Sequence, residues 1–242
     1  MKSKKIIIGI VLILSAIFMS AIGTNKAIAG DSFFSDLSEE KKYDWIVRAR
    51  LMGIFPSGDS TALNPVSTAL GGPAELSAKD WYIPELDITY MVTKHIGVEL
   101  ILGVSQHDIS SKGTLAPLAP GVVADTWLLP PTLLLQYHFN PDGKFRPYVG
   151  VGLNVTFAFG EDVKPVLTTG TGLTSVDIDT SVGIALQAGF DYEINEKWFF
   201  NVDAKWIHME PDVTLRGGAL GTQKLEAEIN PFVIGVGLGM RF

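Results

Sequence analysis

Between residues 43 and 242 the chain repeats one pattern eight times: a segment in which every second residue is apolar. The segments are 43–55, 81–93, 96–108, 127–139, 145–160, 176–192, 198–212 and 225–242. A period of two is the mark of a β-strand that buries one face. The gaps between the segments alternate in length. Those after the second, fourth and sixth are tight, and Asn140-Pro141-Asp142-Gly143 is a strong turn, with Pro fixing one φ and Gly allowing a positive one. Those after the first, third, fifth and seventh are long and rich in Gly, Pro, Ser and Thr. Short turns at one end, long loops at the other and an even strand number predict an all-β fold. The specific expectation is an eight-stranded antiparallel up-and-down transmembrane β-barrel.

The two faces of each segment decide between a soluble and a membrane barrel. In the fifth segment Val149, Val151, Leu153, Val155, Phe157 and Phe159 share one face, and Arg146, Tyr148, Asn154 and Thr156 share the other. In the sixth, Val182, Ile184 and Leu186 oppose Ser181 and Gln187; in the seventh, Val202, Ala204 and Trp206 oppose Asn201, Asp203 and Lys205. Side chains alone fill an eight-stranded interior. The bulky apolar rows would overfill it, whereas small residues mixed with charges of both signs would fit. The apolar rows are therefore expected to face lipid. Arg48, Arg50, Arg146 and Lys205 are expected to meet Glu85, Asp87, Glu99, Asp177, Asp179 and Asp203 in the lumen, beside Asn154 and Gln187. Trp45, Trp81, Tyr90, Trp127, Tyr137, Phe139, Trp198, Phe199 and Phe200 lie near segment ends, where aromatic rings favour the bilayer interfaces. The last segment, Asn230 to Phe242, ends its apolar ladder on Phe242. Leu225, Ala227 and Ile229 have the opposite parity, and a bulge at Asn230-Pro231 would restore the register.

The first 29 residues read as a cleaved signal peptide: Lys2, Lys4 and Lys5, then an uncharged apolar stretch, then Ala27-Ile28-Ala29. Residues 30–42 read as a short lead-in, and 43–242 as the barrel with four long extracellular loops. Cleavage removes four lysines and no acid, taking the formal charge from −7 to −11. Such an acidic product is a poor partner for nucleic acid. The chain has no Cys. That excludes disulfides, thiol nucleophiles and Cys-held metals, so an exported chain must gain its stability in another way, such as a closed hydrogen-bonded barrel.

Several stretches resemble the outer membrane protein W family. They are "WIVRARLMGIFPSGDS", "LDITYMVTKHIGVEL", "LPPTLLLQYHFNPDGKFRPYVGVGLNVTFAF", "GFDYEINEKWFFNVDAKWI" and "INPFVIGVGLGMRF". The resemblance implies a small outer-membrane barrel with a narrow, partly hydrophobic channel that passes or binds small hydrophobic molecules. Its implied partners are outer-membrane lipids and the assembly machinery, for which a terminal Phe such as Phe242 resembles the recognition signal. A structural or interaction barrel without transport is the second reading.

Other chemistry is thinly supported. Ser105 and His107 share a face with Asp108 adjacent, but a third, orienting acid cannot be assigned, so no enzyme is expected. His95, His107, His138 and His208 lack metal-ligand spacing, and no cofactor is expected. The long loops carry apolar residues, Leu70, Leu76, Leu115, Leu118, Val122 and Val123. These either line a hydrophobic entrance or bury one another over the barrel mouth.

Overall fold

The computed structural model describes residues 42–57, 67, 70–218 and 221–242. The segment expected to be a signal peptide and most of the expected lead-in lie outside the described residues. The strands are β1 (Trp45–Phe55), β2 (Ala74–Ala78), β3 (Trp81–Met91), β4 (Ile96–Leu102), β5 (Ser105–Gly113), β6 (Val122–Leu129) and β7 (Thr132–His138). They continue with β8 (Phe145–Val163), β9 (Ser175–Ile178), β10 (Ser181–Glu193), β11 (Trp198–Ile207), β12 (Asp212–Arg216), β13 (Gln223–Glu226) and β14 (Phe232–Arg241). A short helix, α1 (Pro165–Thr171), starts on a Pro and stops at Gly172, whose φ is 76°.

Eight of these strands close a cylinder in the order β1-β3-β4-β7-β8-β10-β11-β14, every pair antiparallel. β14 returns to β1 from Ile46↔Arg241 to Phe55↔Phe232. The tight turns lie where the spacing puts them. Asn140 adopts φ 48° and its carbonyl accepts from the Gly143 N–H at 3.1 Å.

The strands do not all run as single rods. The third segment breaks at Gly103-Val104 into β4 and β5, and the fourth breaks at Pro130-Pro131 into β6 and β7. Two consecutive prolines cannot donate to a ladder. Beyond these breaks β6 and β5 continue along the upper part of β8, with β2 added outside β5. β9, β12 and β13 form a separate three-stranded sheet. This explains the parity of Leu225 and Ala227. Residues 223–226 belong to that second sheet and do not continue β14, and Asn230, at φ 35°, marks the change of direction. Leu115, Leu167, Leu173, Leu215 and Leu225 bury one another in a small core of this loop-end extension.

Outward rows of the cylinder are apolar and exposed: Leu51 at 59%, Leu153 at 59%, Val182 at 67% and Ile234 at 50%. Inward, Arg48, Asp87, Glu99, Asn201 and Asp203 are fully buried. A surface of that kind is stable against hydrocarbon and not against water. Aromatic rings bound the band. Tyr137, Phe139, Phe145, Tyr192 and Trp198 lie exposed toward the turn end, with Trp127, Tyr82 and Phe232 toward the loop end. Trp198 to Trp206 covers roughly 27 Å of strand; at a tilt near 40° that is about 20 Å of height, close to an outer-membrane apolar band. Three aromatics depart from the expected arrangement. Tyr90 is buried, its ring against that of Trp45. Phe199 is fully buried in the lumen, because its parity is that of Asn201 and Asp203, and Phe157 is buried beside Leu129.

Candidate functional site

The lumen has two storeys. The lower one is a block of ion pairs. Arg48 and Arg50 on β1 stand directly opposite Asp87 and Glu85 on β3, since alternate residues of paired antiparallel strands face the same side. Arg48 Nη1 lies 3.1 Å from Glu99 Oε1 and donates to Thr89 Oγ1 at 2.8 Å, while its Nε and Nη2 grip both oxygens of Asp191 at 3.2 and 3.0 Å. Arg50 reaches Glu85, Asp87 and Asp203 at 3.2 Å each, and Glu99 at 3.5 Å. Lys205 bridges Glu85 at 2.6 Å and Asp203 at 3.2 Å.

Neutral groups fill some of the remaining valences, while Asp87 Oδ1 and Asn201 Oδ1 stay without a hydrogen-bond partner. Gln187 Nε2 donates to Glu99 Oε2 and to Asp203 Oδ2 at 2.8 Å, and Gln187 Oε1 accepts from Gln136 Nε2 at 2.7 Å. The Tyr148 hydroxyl donates to Asp203 at 2.7 Å and accepts from Asn201 at 3.0 Å. Nearer the turn end the Phe199 ring lies between the guanidinium groups of Arg48 and Arg241, 5.6 and 4.3 Å from its centre. Charges buried this deeply are tolerable only when paired and hydrogen-bonded. The block is thus a floor that closes the cylinder.

Gly235, Gly237 and Gly239 of β14 face this filled interior. A Cβ at Gly239 would run into the Phe199 ring, one at Gly235 into the Met52 sulfur, and one at Gly237 into the backbone of Ala49. The absent side chains make room for the network.

The upper storey is an apolar chamber of about 140 Å³, reaching from the floor into the loop-end extension. Ile54, Ile83, Ile101, Ile207, Met209 and Val233 line its barrel part; Leu76, Ile178, Val213 and Leu225 line its upper part. Its base touches Glu85 and Lys205, and Asp179 and Glu228 stand among its lining.

The structure gathers Arg48, Arg50, Glu85, Asp87, Glu99, Gln187, Asp203 and Lys205 into the floor. Arg146 sits toward the turn end, paired with Glu193 and donating to the Pro141 carbonyl at 2.7 Å. Asn154 is buried higher up, donating to Thr132 at 2.9 Å. One assignment needs correcting. Asp177 is exposed and pairs with Arg216 on the outer sheet, because the chain breaks between β9 and β10 and β9 leaves the cylinder. Asp179, in that break, is exposed but stands among the chamber lining, not in the floor. Asp191, Tyr148 and Asn201, which the alternation sorts onto the polar face, join the floor, and so do Gln136 and Arg241, which were not singled out. Their parity is the available signal, since each alternates with lipid-facing neighbours.

Of the six apolar loop residues, Leu76 lines the chamber. Leu115 and Val123 are buried in the extension's core, with Leu70 packed against it; Val122 is half-buried and Leu118 exposed. Ser105 Oγ and His107 Nε2 are 2.8 Å apart, both buried on the chamber wall. The other histidines have local partners: His95 with the His138 carbonyl, His138 with Gln136, His208 with Asn230. In the extension, Lys164 pairs with Asp125, which also accepts from Gln106. The Lys164 ammonium holds the Asp125 carboxyl below the usual carboxylate range, and the carboxylate in turn raises the lysine.

Comparison with known proteins agrees with this geometry. The OmpW family model matches residues 41–242. The uncharacterized outer-membrane protein y4mB of Sinorhizobium fredii is 40% identical, over 82% of this chain and 80% of its own. Outer membrane protein W of Vibrio cholerae is 35% identical, over 82% of this chain and 88% of its own. The crystal structure of the outer membrane protein OprG from Pseudomonas aeruginosa superposes with a TM-score of 0.75 at 29% identity, covering 84% of this chain and 97% of that one. A closed eight-stranded cylinder with an apolar exterior and a charged interior, matched in sequence over nearly its whole length, makes this chain an outer-membrane β-barrel of the OmpW family.

Proposed function

We propose that the barrel receives small hydrophobic molecules at its loop end and passes them on through its wall. The observation that carries this reading is the stacking of an apolar chamber on a closed, charged floor. An apolar cavity of about 150 Å³ is enough to stay dry and hold a benzene-sized guest. The chamber is of that size, and it opens among loops that would face the exterior of the cell. The floor offers an apolar guest no onward path, since entering it would separate ion pairs in a low-dielectric interior.

A sideways path is consistent with the strand pairing. The β3–β4 ladder stops at Leu86↔Leu102, whereas β3 runs on to Trp81 and β4 gives way at Gly103-Val104 to β5, which pairs with β2 and β6. The wall beside Ile83 is therefore thinner in hydrogen bonds than the rest of the cylinder, and it abuts the chamber.

Filling the chamber tests this. Cells producing the Ile207→Trp variant, folded to the wild-type level, should take up radiolabelled octane more slowly than cells producing wild type. Equal uptake by the two, or by cells lacking the protein, would sink the proposal.

A further inference from the structure

The chamber is not uniformly apolar, and its polarity is sorted by strand. Among the described lining residues, the uncharged polar ones are Ser77, Ser105, His107, Thr126, Thr132 and Thr156. They lie on β2, β5, β6, β7 and β8, which are neighbours in one sheet in the order β7-β8-β6-β5-β2. The opposite wall, from β1, β11, β14 and the segment before β14, contributes Ile54, Ile207, Met209, Ile229, Pro231 and Val233. One side carries a stripe of hydroxyl and imidazole groups among Leu76, Ile109, Leu128 and Ala158. The other is hydrocarbon apart from Lys205 at its base and Glu228.

The hydroxyls have capacity to spare. A Ser or Thr hydroxyl donates once and accepts twice. Thr156 Oγ1 donates to Asn154 Oδ1 at 2.7 Å, which leaves its lone pairs free of that bond. Thr132 Oγ1 donates to the Pro130 carbonyl at 3.1 Å and accepts from Asn154 at 2.9 Å, which leaves one lone pair. Ser105 uses one valence on His107. Thr126 makes only a long contact, 3.5 Å, to the Trp127 carbonyl. A plain hydrocarbon lying against this wall would leave those valences unused, and burying them dry costs free energy.

The charges argue about the sign of a head group. Glu85, Asp179 and Glu228 line the chamber against one cation, Lys205, and that cation is already held by Glu85 and Asp203. A carboxylate head would meet net repulsion.

We infer that the chamber is built for neutral amphiphiles, molecules with an apolar chain and an uncharged hydroxyl-type head, lying with the head on the Ser105–Thr126 stripe and the chain on the Ile207 wall. This rests on the proposed chamber function and narrows it to a ligand class. Successive hydroxyls along the stripe would pass the head group on without a step at which it is bare.

The test uses the protein in lipid nanodiscs, with binding measured above that of empty nanodiscs. The probes are radiolabelled octane, 1-octanol and octanoate. Wild type is compared with Ser105→Ala/Thr126→Val and, in case the double variant folds poorly, with Thr126→Val alone, each checked by heat-modifiable gel mobility. The ratio of octanol to octane affinity, taken for each protein, cancels the different hydration of the two probes between proteins. The expected result is a ratio about 5-fold lower in the double variant, the effect of one ordinary neutral hydrogen bond. An unchanged ratio in both variants overturns the head-group assignment, as does octanoate binding wild type more tightly than octanol. Failure of every probe to bind wild type overturns the chamber reading itself, which separates the two failures.

Discussion

Arg48 and Glu99 meet at 3.1 Å across the lumen from strands that do not pair with each other, and neither side chain is exposed. The contact ties β1 to β4 over the intervening β3, so the floor braces the cylinder as well as closing it. Removing one partner leaves the other charge buried. Glu99→Leu should therefore cost about 3–5 kcal/mol. Urea unfolding from lipid vesicles measures it; a loss under 1 kcal/mol would mean that water reaches the floor.

The face assignment can be read with single Cys labels, because the native chain has none. Fluorophores at Val151 and Leu186, which stand opposite each other on β8 and β10, should be quenched by lipid-borne quenchers. Leu186→Arg should cost about 2–4 kcal/mol. Quenching of both labels only by aqueous reagents would contradict a lipid-facing row.

The glycine row of β14 gives a sharper contrast. At Gly237 an added Cβ meets the Ala49 carbonyl and the Arg50 Cα, both backbone, so Gly237→Ala should lower the heat-modifiable folded fraction clearly. Its neighbour Val236 is exposed, and Val236→Ala should change that fraction little. Equal folding of the two variants would show that β14 sits farther from β1 than the register implies.

Phe242 presents an exposed ring while its main chain bonds Trp45 and Asp44 at 2.9 Å. Deletion removes both the ring and the bonds, whereas Phe242→Ala keeps the bonds. If the ring is the assembly signal, both variants should accumulate unfolded at high expression. Normal assembly of Phe242→Ala would assign the effect to the backbone.

The Asp125–Lys164 pair predicts a pH window for the loop end. The depressed carboxyl contributes stability that is present above its unfolded value and lost as pH falls through its folded one. The raised ammonium contributes stability present below its unfolded value and lost as pH climbs through its folded one. Exchange of the Lys164 amide, which bonds the Val123 carbonyl at 2.9 Å, should be slower in wild type than in Asp125→Asn at pH 7, and the difference should vanish once the pH has fallen below the folded carboxyl value. A difference that persists in acid would place the protection elsewhere.

Parity made the cylinder legible. Val151 against Gly152, Leu186 against Gln187 and Val202 against Asp203 sort one face from the other before any coordinate is known, and seven of the ten charged lumen assignments follow from that sorting plus opposite charge. Of the other three, Asp177 failed because parity cannot show that a strand has ended and another sheet begun. Only Thr180 separates Asp179 from β10, and no Gly or Pro marks the break. The chamber was less legible still. Its wall combines residues from β1, β3, β11 and β14 with Leu76, Val213 and Leu225 from loops, and which loop folds over which depends on contacts distant in sequence. Of the apolar loop residues, pattern alone could not separate Leu76, on the chamber, from Leu115, in the core beside it.

β14 gives the interior almost nothing at mid-depth: where its neighbours send in Arg50, Asp203 and Phe199, it sends three hydrogens. The strand that seals the seam with β1 therefore threads a single charge into the network, Arg241 at its turn end, which meets Asp191 at 3.3 Å. The other seven strands can set their remaining ion pairs around an open slit, and closure can then proceed like a lid sliding over a packed box, by backbone bonds and that one latch.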